Sequence, residues 1–307
     1  MAETPRILAI RGGAIGDFIL TLPALRLLRE NFANCRIEIL GYPHIASLAV
    51  RCGANHDRPY ADAVHSIEYG PLAGFFARRG TLDSAMCEFF SGYQQVISWL
   101  FDPDGIFEEN LRRAGVKNYL SAYTKVNDDQ HAAAQLASGL ERMAMFLEGP
   151  PEAVLRPTSE TLAEADTWLA AAGLEHGFTA IHPGSGSARK NWPIDHWRAL
   201  LERFDGRPVL LVGGEADSAQ MSAFSGFARA HHLPLPLLSA ILSRAGQYFG
   251  HDTGISHIAA AVGVRCTLLF GPTAPAVWAP IGSHVRIIEA PDGDLSALAP
   301  DSIVPHS

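Results

Sequence analysis

Short apolar runs and longer segments with helical spacing take turns along most of the chain. Each run is bounded by polar, glycine or proline residues and has the length of a buried strand. A regular alternation of strand and helix is typical of a parallel sheet that is covered by helices on both faces. The predicted strands are residues 6–10, 36–40, 64–69, 94–100, 116–120, 178–182, 208–212 and 264–270.

The alternation is interrupted once, near the middle of the chain. Residues 131–147 are predicted to form a long helix, and the segment Gly149–Pro157 is rich in proline and glycine, as linkers are. We therefore predict two Rossmann-like, doubly wound α/β domains, residues 1–150 and 151–307. Ligands of such folds bind at the carboxyl ends of the strands, so two of these sheets facing each other would form a cleft.

The composition and net charge of the chain argue against several classes of protein. The 307 residues carry a net charge of −8, which argues against nucleic acid as a partner. We expect no signal peptide, and no apolar run reaches the ~20 residues that span a bilayer. The four cysteines are scattered, and no residues have metal-ligand spacing. We expect a cytoplasmic protein, and the modest basic patch at residues 112–117 could contact the inner-membrane face peripherally.

Polar residues lie where a late strand should lead into a small apolar helix. Asp252 and Thr253 are good helix N-cap residues, and Gly254 and His257 follow them. The start of a helix favours an anion because its N–H groups are unpaired and its dipole is positive there. The segment predicts either a site for a phosphorylated, hydroxyl-rich ligand or an ordinary capped helix.

Two further loops that follow predicted strands carry candidate ligand-binding residues. In the first, the small residues Ser185 and Gly186 would let backbone N–H groups approach an anion, and Lys190 would add a point charge. The second contains Glu215 and Asp217, whose carboxylates could accept hydrogen bonds from sugar or ribose hydroxyls. A capped surface turn is the alternative interpretation of the second loop.

The first predicted strand is followed by the glycine-rich turn Arg11–Asp17. Its glycines are spaced G-G-x-x-G, which does not match the dinucleotide-binding pattern G-x-G-x-x-G. Asp17 is either an acidic residue stabilised by the dipole of the following helix or a carboxylate that accepts a proton from a substrate hydroxyl.

These loops, taken in this order, resemble those of glycosyltransferase family 9, the heptosyltransferases that act on lipopolysaccharide. The resemblance covers nearly the whole chain. It rests on five motifs in register: Arg11-x4-Gly16-Asp17-x5-Pro23, His182-Pro183-Gly184-Ser185 with Lys190-x-Trp192-Pro193, Gly213-Gly214-x-x-Asp217, Asp252-Thr253-Gly254-x-x-His257, and Phe270-Gly271-Pro272-Thr273.

The resemblance implies the GT-B architecture, with the acceptor on the first domain and a nucleotide-sugar donor on the second, and no metal or other cofactor. It also implies the role of each candidate residue. Asp17 matches the catalytic base of the family. The residues that match its donor-binding positions are Ser185, Gly186, Lys190, Asp217 with Glu215 as the fallback, Asp252, Thr253, Gly254 and His257.

The function that this resemblance implies is inverting transfer of a sugar, with heptose from ADP-heptose as the expected donor and lipopolysaccharide or a related glycan as the expected acceptor. Two alternatives stay open from the sequence. One is a nucleotide-sugar epimerase or hydrolase on the same scaffold, and the other is a sugar-nucleotide binding protein without catalysis.

Overall fold

The computed structural model describes residues 4–55, 58–204, 206–214 and 217–303. Contacts within the chain divide it into two compact units. The first contains the residues up to Val126 together with Ala133–Gly149, and the second contains Asn127–Ala132 and the residues from Pro150 onward. Within the described ranges, no helix is both long enough and apolar enough to cross a bilayer.

The first unit is built on a five-stranded parallel sheet in the order β4-β2-β1-β5-β6. The strands of the unit are β1 Arg6–Arg11, β2 Arg36–Gly41, β3 Cys52–Gly53, β4 Ala63–Ser66, β5 Gln95–Ser98 and β6 Tyr119–Ser121, of which β3 lies outside this sheet. The helices are α1 Ile15–Asn31, α2 Pro43–Arg51, α3 Ser84–Ser91, α4 Ile106–Arg113 and α5 Ala132–Ser138, with 3-10 turns at Gly70–Phe76 and Glu141–Met143.

The second unit contains a six-stranded parallel sheet in the order β10-β9-β8-β11-β12-β13. The strands of the unit are β7 Arg156–Pro157, β8 Thr179–Ile181, β9 Val209–Gly213, β10 Ala228–His231, β11 Gln247–His251, β12 Arg265–Phe270 and β13 Val285–Glu289, of which β7 lies outside this sheet. The helices are α6 Ser159–Ala171, α7 Ile194–Glu202, α8 Ser218–Ser222, α9 Leu235–Leu242, α10 Gly254–Ala261 and α11 Pro275–Trp278, and 3-10 turns lie at Ala188–Lys190, Pro291–Gly293, Leu295–Ala297 and Pro300–Ser302.

Two parallel, doubly wound α/β sheets confirm the predicted fold class. The strand order reverses beside β1 in the first sheet and beside β8 in the second, so helices cover both faces and the central strands are almost wholly buried. Because all strands of a sheet run in the same direction, the loops that follow them emerge at one edge. The candidate residues of each unit follow strands and therefore lie at such an edge.

Candidate residues lie at the first turns of α1 and α10, and these two helices are capped in different ways. Thr253 caps α10, and its side chain accepts the backbone N–H of Ser256 at 3.3 Å. Ala14 precedes α1 and has no side-chain acceptor, but the Asp17 carboxylate reaches back to the Ala14 N–H at 3.0 Å. This half of a capping box orients the Asp17 side chain at the start of α1.

The predicted helix at residues 131–147 is wrong in its second half, because α5 ends at Ser138. A Cβ atom on Gly139 would lie 2.4 Å from the carbonyl oxygen of Ala122, so the chain packs tightly against the loop after β6 at this point. Ala144 then takes a left-handed conformation with φ of 55°, which a continuous helix does not allow. Close tertiary packing here overrides the apolar periodicity.

A buried carboxylate, Glu38 on β2, joins three strands of the first sheet. It lies 3.1 Å from Arg6 and 2.7 Å from Arg36, and it accepts the hydroxyl of Tyr93 at 2.8 Å. His65 on β4 contacts its second oxygen. Burial would raise the pKa of Glu38, but these partners outweigh it and lower the pKa to about 2.

Replacing Glu38 with Gln should destabilise the first unit by about 3 kcal/mol near neutral pH, because it breaks a buried, paired charge. The carboxylate stabilises the fold above its unfolded-state pKa of 4.5 and loses that effect as the pH falls toward 2. The gap between wild type and Glu38→Gln should therefore shrink by about half or more between pH 7 and pH 3. Urea unfolding followed by circular dichroism measures both gaps.

The exposed Glu30 on α1, replaced by Gln, is the matched control and should behave like wild type. A gap between wild type and Glu38→Gln that stays constant with pH would contradict the stabilising role of the ionised carboxylate.

Candidate functional site

Four loops of the second unit emerge at the carboxyl edge of its sheet. They follow β8, β9, β11 and β12, whose order in the sheet is β9-β8-β11-β12, so the loops are neighbours. They carry the sequence motifs at residues 182–193, 213–217, 252–257 and 270–273. The parallel topology thus brings loops that are far apart in the chain, from His182 to Thr273, to one edge of the sheet.

A lysine and a hydroxyl meet on one carboxylate at this edge. Lys190 Nζ donates to Asp252 Oδ2 at 2.6 Å, and Thr273 Oγ1 donates to the same oxygen at 2.7 Å. The Lys190 side chain keeps about a third of its surface exposed, whereas Asp252 is nearly buried. Asp252 therefore holds the ammonium group in place and leaves it within reach of a ligand from solvent.

A second, more deeply buried chain of hydrogen bonds lies at the same edge of the sheet. His182 Nε2 lies 3.0 Å from Asp217 Oδ2, and His182 Nδ1 lies 3.2 Å from the hydroxyl of Thr253. Because Thr253 is the N-cap of α10, this chain connects the loop after β9 to the start of that helix through the imidazole of His182. Both side chains of the His182–Asp217 pair are almost fully buried.

The Asp217 side chain packs closely against the backbone at Gly184 and Gly214. Its Oδ2 also accepts the Gly214 N–H at 2.7 Å, and a Cβ atom on Gly184 would come within 2.1 Å of Asp217 Oδ1. Burial would raise the pKa of Asp217, but the hydrogen bond and charge of His182 outweigh it and hold the pKa below its ordinary value. An ionised, 4% exposed carboxylate in this position anchors two loops to each other.

Hydrogen bonds of the Ser185 side chain stabilise the conformation of the loop after β8. This residue is buried, and its hydroxyl lies 2.7 Å from both the Ser187 carbonyl oxygen and the side-chain oxygen of Asn191. Gly186 is exposed next to it, and a Cβ atom there would meet nothing within 4 Å. The loop is therefore rigid at Ser185 and open at Gly186, where a ligand has room to approach.

His251, at the end of β11, fixes the far end of the same loop. Its Nε2 accepts the backbone N–H of Trp192 at 2.9 Å, and Trp197 packs against its ring. Complete burial lowers the pKa of His251 to about 3, so the ring is neutral and remains an acceptor over the whole physiological range.

The first turn of α10 completes this edge. Gly254 begins the helix directly after the Thr253 cap, and the side chain of His257 is buried at its first turn. The dipole of the helix and the ammonium of Lys190 place two sources of positive potential at the same edge. Such a combination can hold a diphosphate, and the hydroxyl of Thr273 and the carboxylate of Asp252 can bond sugar hydroxyls.

Asp17 lies in the other unit, at the carboxyl edge of the first sheet. Its side chain is 42% exposed, and Oδ1 is 3.7 Å from the guanidinium of Arg11. That guanidinium is itself held by Thr21 at 2.9 Å and by the Asp17 carbonyl oxygen at 3.0 Å. An exposed, oriented carboxylate in this place is able to accept a proton from a bound hydroxyl.

The candidate residues thus separate into distinct roles. Lys190 and Asp252 form a charged pair at the edge of the sheet. Asp217 and Ser185 are buried, and their hydrogen bonds stabilise the loops. Glu215 lies outside the described residues. The contacts of Thr273 and His251 with the other loops were not predicted. Residue spacing does not predict these contacts, because Asp252 and Trp192 belong to loops that follow other strands.

Adding a methyl group at Gly184 should destabilise the second unit by about 3 kcal/mol, because it displaces the buried Asp217 carboxylate from His182. Gly186→Ala, two residues on, should change stability by less than about 0.5 kcal/mol because its methyl group meets open space. Thermal unfolding of the two variants measures the difference. Equal unfolding temperatures would contradict the close approach of Gly184 to Asp217.

The chain resembles known proteins in both sequence and structure. A family model described as glycosyltransferase family 9 (heptosyltransferase) matches residues 107–299. Lipopolysaccharide heptosyltransferase 1 of Pseudomonas aeruginosa is 26% identical over 302 residues, which cover 88% of this chain and 79% of the relative. Lipopolysaccharide heptosyltransferase 3 of Escherichia coli is 20% identical, covering 88% of this chain and 84% of the relative.

Two solved structures share the fold of the whole chain. The glycosyl transferase family 9 protein of Veillonella parvula superposes with a TM-score of 0.77 at 17% identity, covering 98% of this chain and 96% of that one. The E. coli heptosyltransferase WaaC with ADP superposes with a TM-score of 0.69 at 19% identity, covering 97% of each chain. The fold is therefore GT-B, as predicted, and the chain is a glycosyltransferase that belongs to family 9.

Proposed function

We propose that the protein transfers heptose from ADP-heptose to a lipopolysaccharide or related glycan acceptor, with inversion at the anomeric carbon. The observation that carries the proposal is the Lys190–Asp252–Thr273 cluster beside the start of α10. Similarity to lipopolysaccharide heptosyltransferase 1 supports the sugar and the acceptor class. Solved structures of a similar E. coli heptosyltransferase hold ADP and ADP-2-deoxy-2-fluoro heptose, which supports the donor.

The second unit binds the donor in this proposal. Lys190 and the first N–H groups of α10 contact the diphosphate, and they stabilise the negative charge that grows on it as the glycosidic bond breaks. Asp252 holds the lysine and, with Thr273, faces the sugar hydroxyls. The buried side chains of Asp217, His182 and Ser185 keep these groups in position through their hydrogen bonds.

The first unit binds the acceptor, and Asp17 is the general base. An acceptor hydroxyl attacks the anomeric carbon from the face opposite the leaving diphosphate, and its proton passes to the Asp17 carboxylate. A carboxylate is a weak base, so the proton moves late, when the new bond has formed and the oxygen has become acidic. The Ala14 N–H and Arg11 keep the carboxylate oriented for this step.

We also place the protein at the cytoplasmic face of the inner membrane, in peripheral contact with it. The expected acceptor supports this location because it is anchored in lipid. The exposed arginines Arg112 and Arg113 at the end of α4 supply the basic patch that anionic headgroups would attract.

Removing the ammonium group with Lys190→Ala should weaken binding of ADP by about 10- to 100-fold, because one charge-assisted contact to the diphosphate is lost. A thermal-shift series with ADP, UDP and GDP measures this. In wild type, ADP at ~100 times its Kd should add about 2.7 kcal/mol of stability and exceed the other two nucleotides.

The neighbouring exposed Arg189, replaced by Ala, is the matched control and should keep the full ADP effect. Unchanged ADP affinity in Lys190→Ala would make this lysine a surface charge only. UDP or GDP exceeding ADP would overturn the proposed donor.

Replacing Asp17 with Asn should lower kcat by about 10²–10⁴-fold and leave ADP binding intact, because Asn keeps the Ala14 hydrogen bond but cannot accept the proton. Initial rates of ADP release from ADP-heptose, measured with and without a lipopolysaccharide extract, test this. Wild-type turnover in Asp17→Asn would exclude it as the base. Turnover of the donor by the wild-type protein that does not depend on acceptor would instead favour a hydrolase or epimerase.

A further inference from the structure

The imidazole ring of His251, at the end of β11, contacts both ends of the loop after β8. Its Nε2 accepts the backbone N–H of Trp192 at 2.9 Å, and its Nδ1 lies 3.3 Å from the carbonyl oxygen of Gly184. These two residues bound a stretch of nine residues, 184–192, the bridged segment. One side chain therefore closes this segment at its base.

The two partners of the ring fix its protonation state. A backbone N–H can only donate, so Nε2 carries no proton, and a carbonyl oxygen can only accept, so Nδ1 carries one. The ring is fully buried, and burial lowers the pKa of His251 to about 3. His251 is therefore neutral at physiological pH, in the Nδ1–H tautomer, and both bonds persist there.

Between its two ends the bridged segment has little packing of its own. Residues 186–189 are exposed, and Lys190 ends a short 3-10 turn. The bonds inside the segment are local, since the Lys190 N–H donates to the Ser187 carbonyl oxygen at 2.9 Å and the Ser185 hydroxyl to Asn191 at 2.7 Å. Local bonds shape the segment but do not attach it to the sheet, so the position of Lys190 depends on how the ends are held.

The same ring connects the two partners of the ion pair. Asp252, whose Oδ2 accepts Lys190 Nζ at 2.6 Å, is the residue after His251. Trp192, whose N–H the ring binds, is two residues after Lys190. The imidazole thus joins the strand that leads to Asp252 to the segment that carries Lys190, and it does so close to both residues.

Trp192 has a second anchor on another part of the unit. Its indole N–H donates to the carbonyl oxygen of Leu298 at 2.9 Å, and its ring packs against that of Trp197 with centroids 5.0 Å apart. This anchor attaches Trp192 to the C-terminal segment and to α7. The imidazole attaches the bridged segment to β11 and also reaches its other end at Gly184, so mutation can separate the two anchors.

We propose that His251 is a positioning residue for the transfer reaction. Its imidazole closes the bridged segment and so holds the Lys190 ammonium beside Asp252, where it meets the diphosphate of the donor. The inference rests on the proposed function, because it adds a residue to the donor side of the same site. His251 acts through Lys190, since its own ring is buried and both of its nitrogens are engaged within the protein.

Three substitutions separate the two bonds of the ring. His251→Phe keeps a ring against Trp197 but neither bond, His251→Asn offers a donor near the place of Nδ1, and His251→Gln offers an acceptor near the place of Nε2. In calorimetric titrations of the whole chain, His251→Phe should bind ADP about tenfold more weakly, because a loop that is competent for about a tenth of the time lowers affinity by that factor. His251→Asn should resemble His251→Phe, and His251→Gln should recover most of the affinity.

Phe249→Leu is the matched control for a loss of stability alone. Phe249 lies two residues before His251 in β11, is buried, and has its ring against that of Phe204. The smaller side chain leaves a cavity, so it should lower the unfolding temperature and leave the Kd of ADP unchanged. An affinity that simply follows the unfolding temperature across the four variants would contradict the positioning role.

A double-mutant cycle shows whether His251 acts through Lys190. The loss of ADP affinity caused by Lys190→Ala should be several-fold smaller in the His251→Phe background than in wild type, because the ammonium is already displaced there. Equal losses in the two backgrounds would mean that the two residues act independently, and the proposal would be wrong.

The position of Lys190 is also measurable without ADP. The chain has three lysines, and the other two, Lys117 and Lys125, are exposed. After reductive methylation with isotope-labelled formaldehyde, the methyl NMR signal of Lys190 is the one that disappears in Lys190→Arg. It should stand apart from the other two in wild type, because Asp252 holds the ammonium, and should move toward them in His251→Phe.

The tautomer of His251 supplies an independent signature. In long-range proton–nitrogen NMR spectra of wild type at neutral pH, the imidazole signal that is missing from His251→Gln should be that of a neutral ring protonated at Nδ1. A ring protonated at Nε2 could not accept the Trp192 N–H, so that result would overturn the bridge.

These outcomes separate the inference from the proposed function. If wild type does not bind ADP, the donor assignment fails, and the lysine and imidazole signals still decide whether His251 positions Lys190. If Lys190→Ala weakens ADP binding but His251→Phe binds ADP as wild type does, the donor site stands, the anchor of Trp192 at Leu298 is sufficient, and the positioning role of His251 is wrong. An unchanged Lys190 methyl signal in His251→Phe would lead to the same conclusion.

Discussion

The loops at the carboxyl edge of the second sheet depend on the interactions of one ionised carboxylate, that of Asp217. It is buried against Gly184, accepts the Gly214 N–H and pairs with His182, which in turn contacts the cap of α10. A buried charge is stable only when it is paired and hydrogen-bonded, so the loops after β8 and β9 and the start of α10 cannot shift independently. Asp252, which pairs with Lys190, directly precedes Thr253, the cap residue that this network holds.

Both sheets are parallel and doubly wound, but their carboxyl edges carry chemically different side chains. At the carboxyl edge of the second sheet, a lysine, a carboxylate, hydroxyls and a helix start lie together, and such groups are able to bind a charged, hydroxyl-rich ligand. At the corresponding edge of the first sheet, aromatic rings surround a pocket beside Asp17. Parallel strands deliver loops to one edge whatever their sequence, so each edge takes its chemistry from its own loops.

Particular residues show how far sequence reasoning reaches. The loop motifs led to Lys190 and Asp252, which the structure joins by an ion pair. Contact with ligand hydroxyls stays a prediction for Asp217, and the structure adds that its carboxylate is buried and bonded to His182 and to the Gly214 N–H. Elements were harder to predict where packing overrides periodicity. The helix expected to reach Leu147 ends at Ser138, since Gly139 packs against the backbone of Ala122.

The sequence by itself determined the alternation of strands and helices, the two doubly wound units and the loops that carry polar residues, because these depend on local hydrophobic periodicity and turn chemistry. The tertiary structure alone decided which side chains meet. Thr273 donates to Asp252, His251 accepts from Trp192, and the ring of Tyr123 contacts that of Phe101, although the two partners of each pair belong to or follow different strands. Strand order brings them together, and strand order is set by long-range packing of whole elements that no local pattern records.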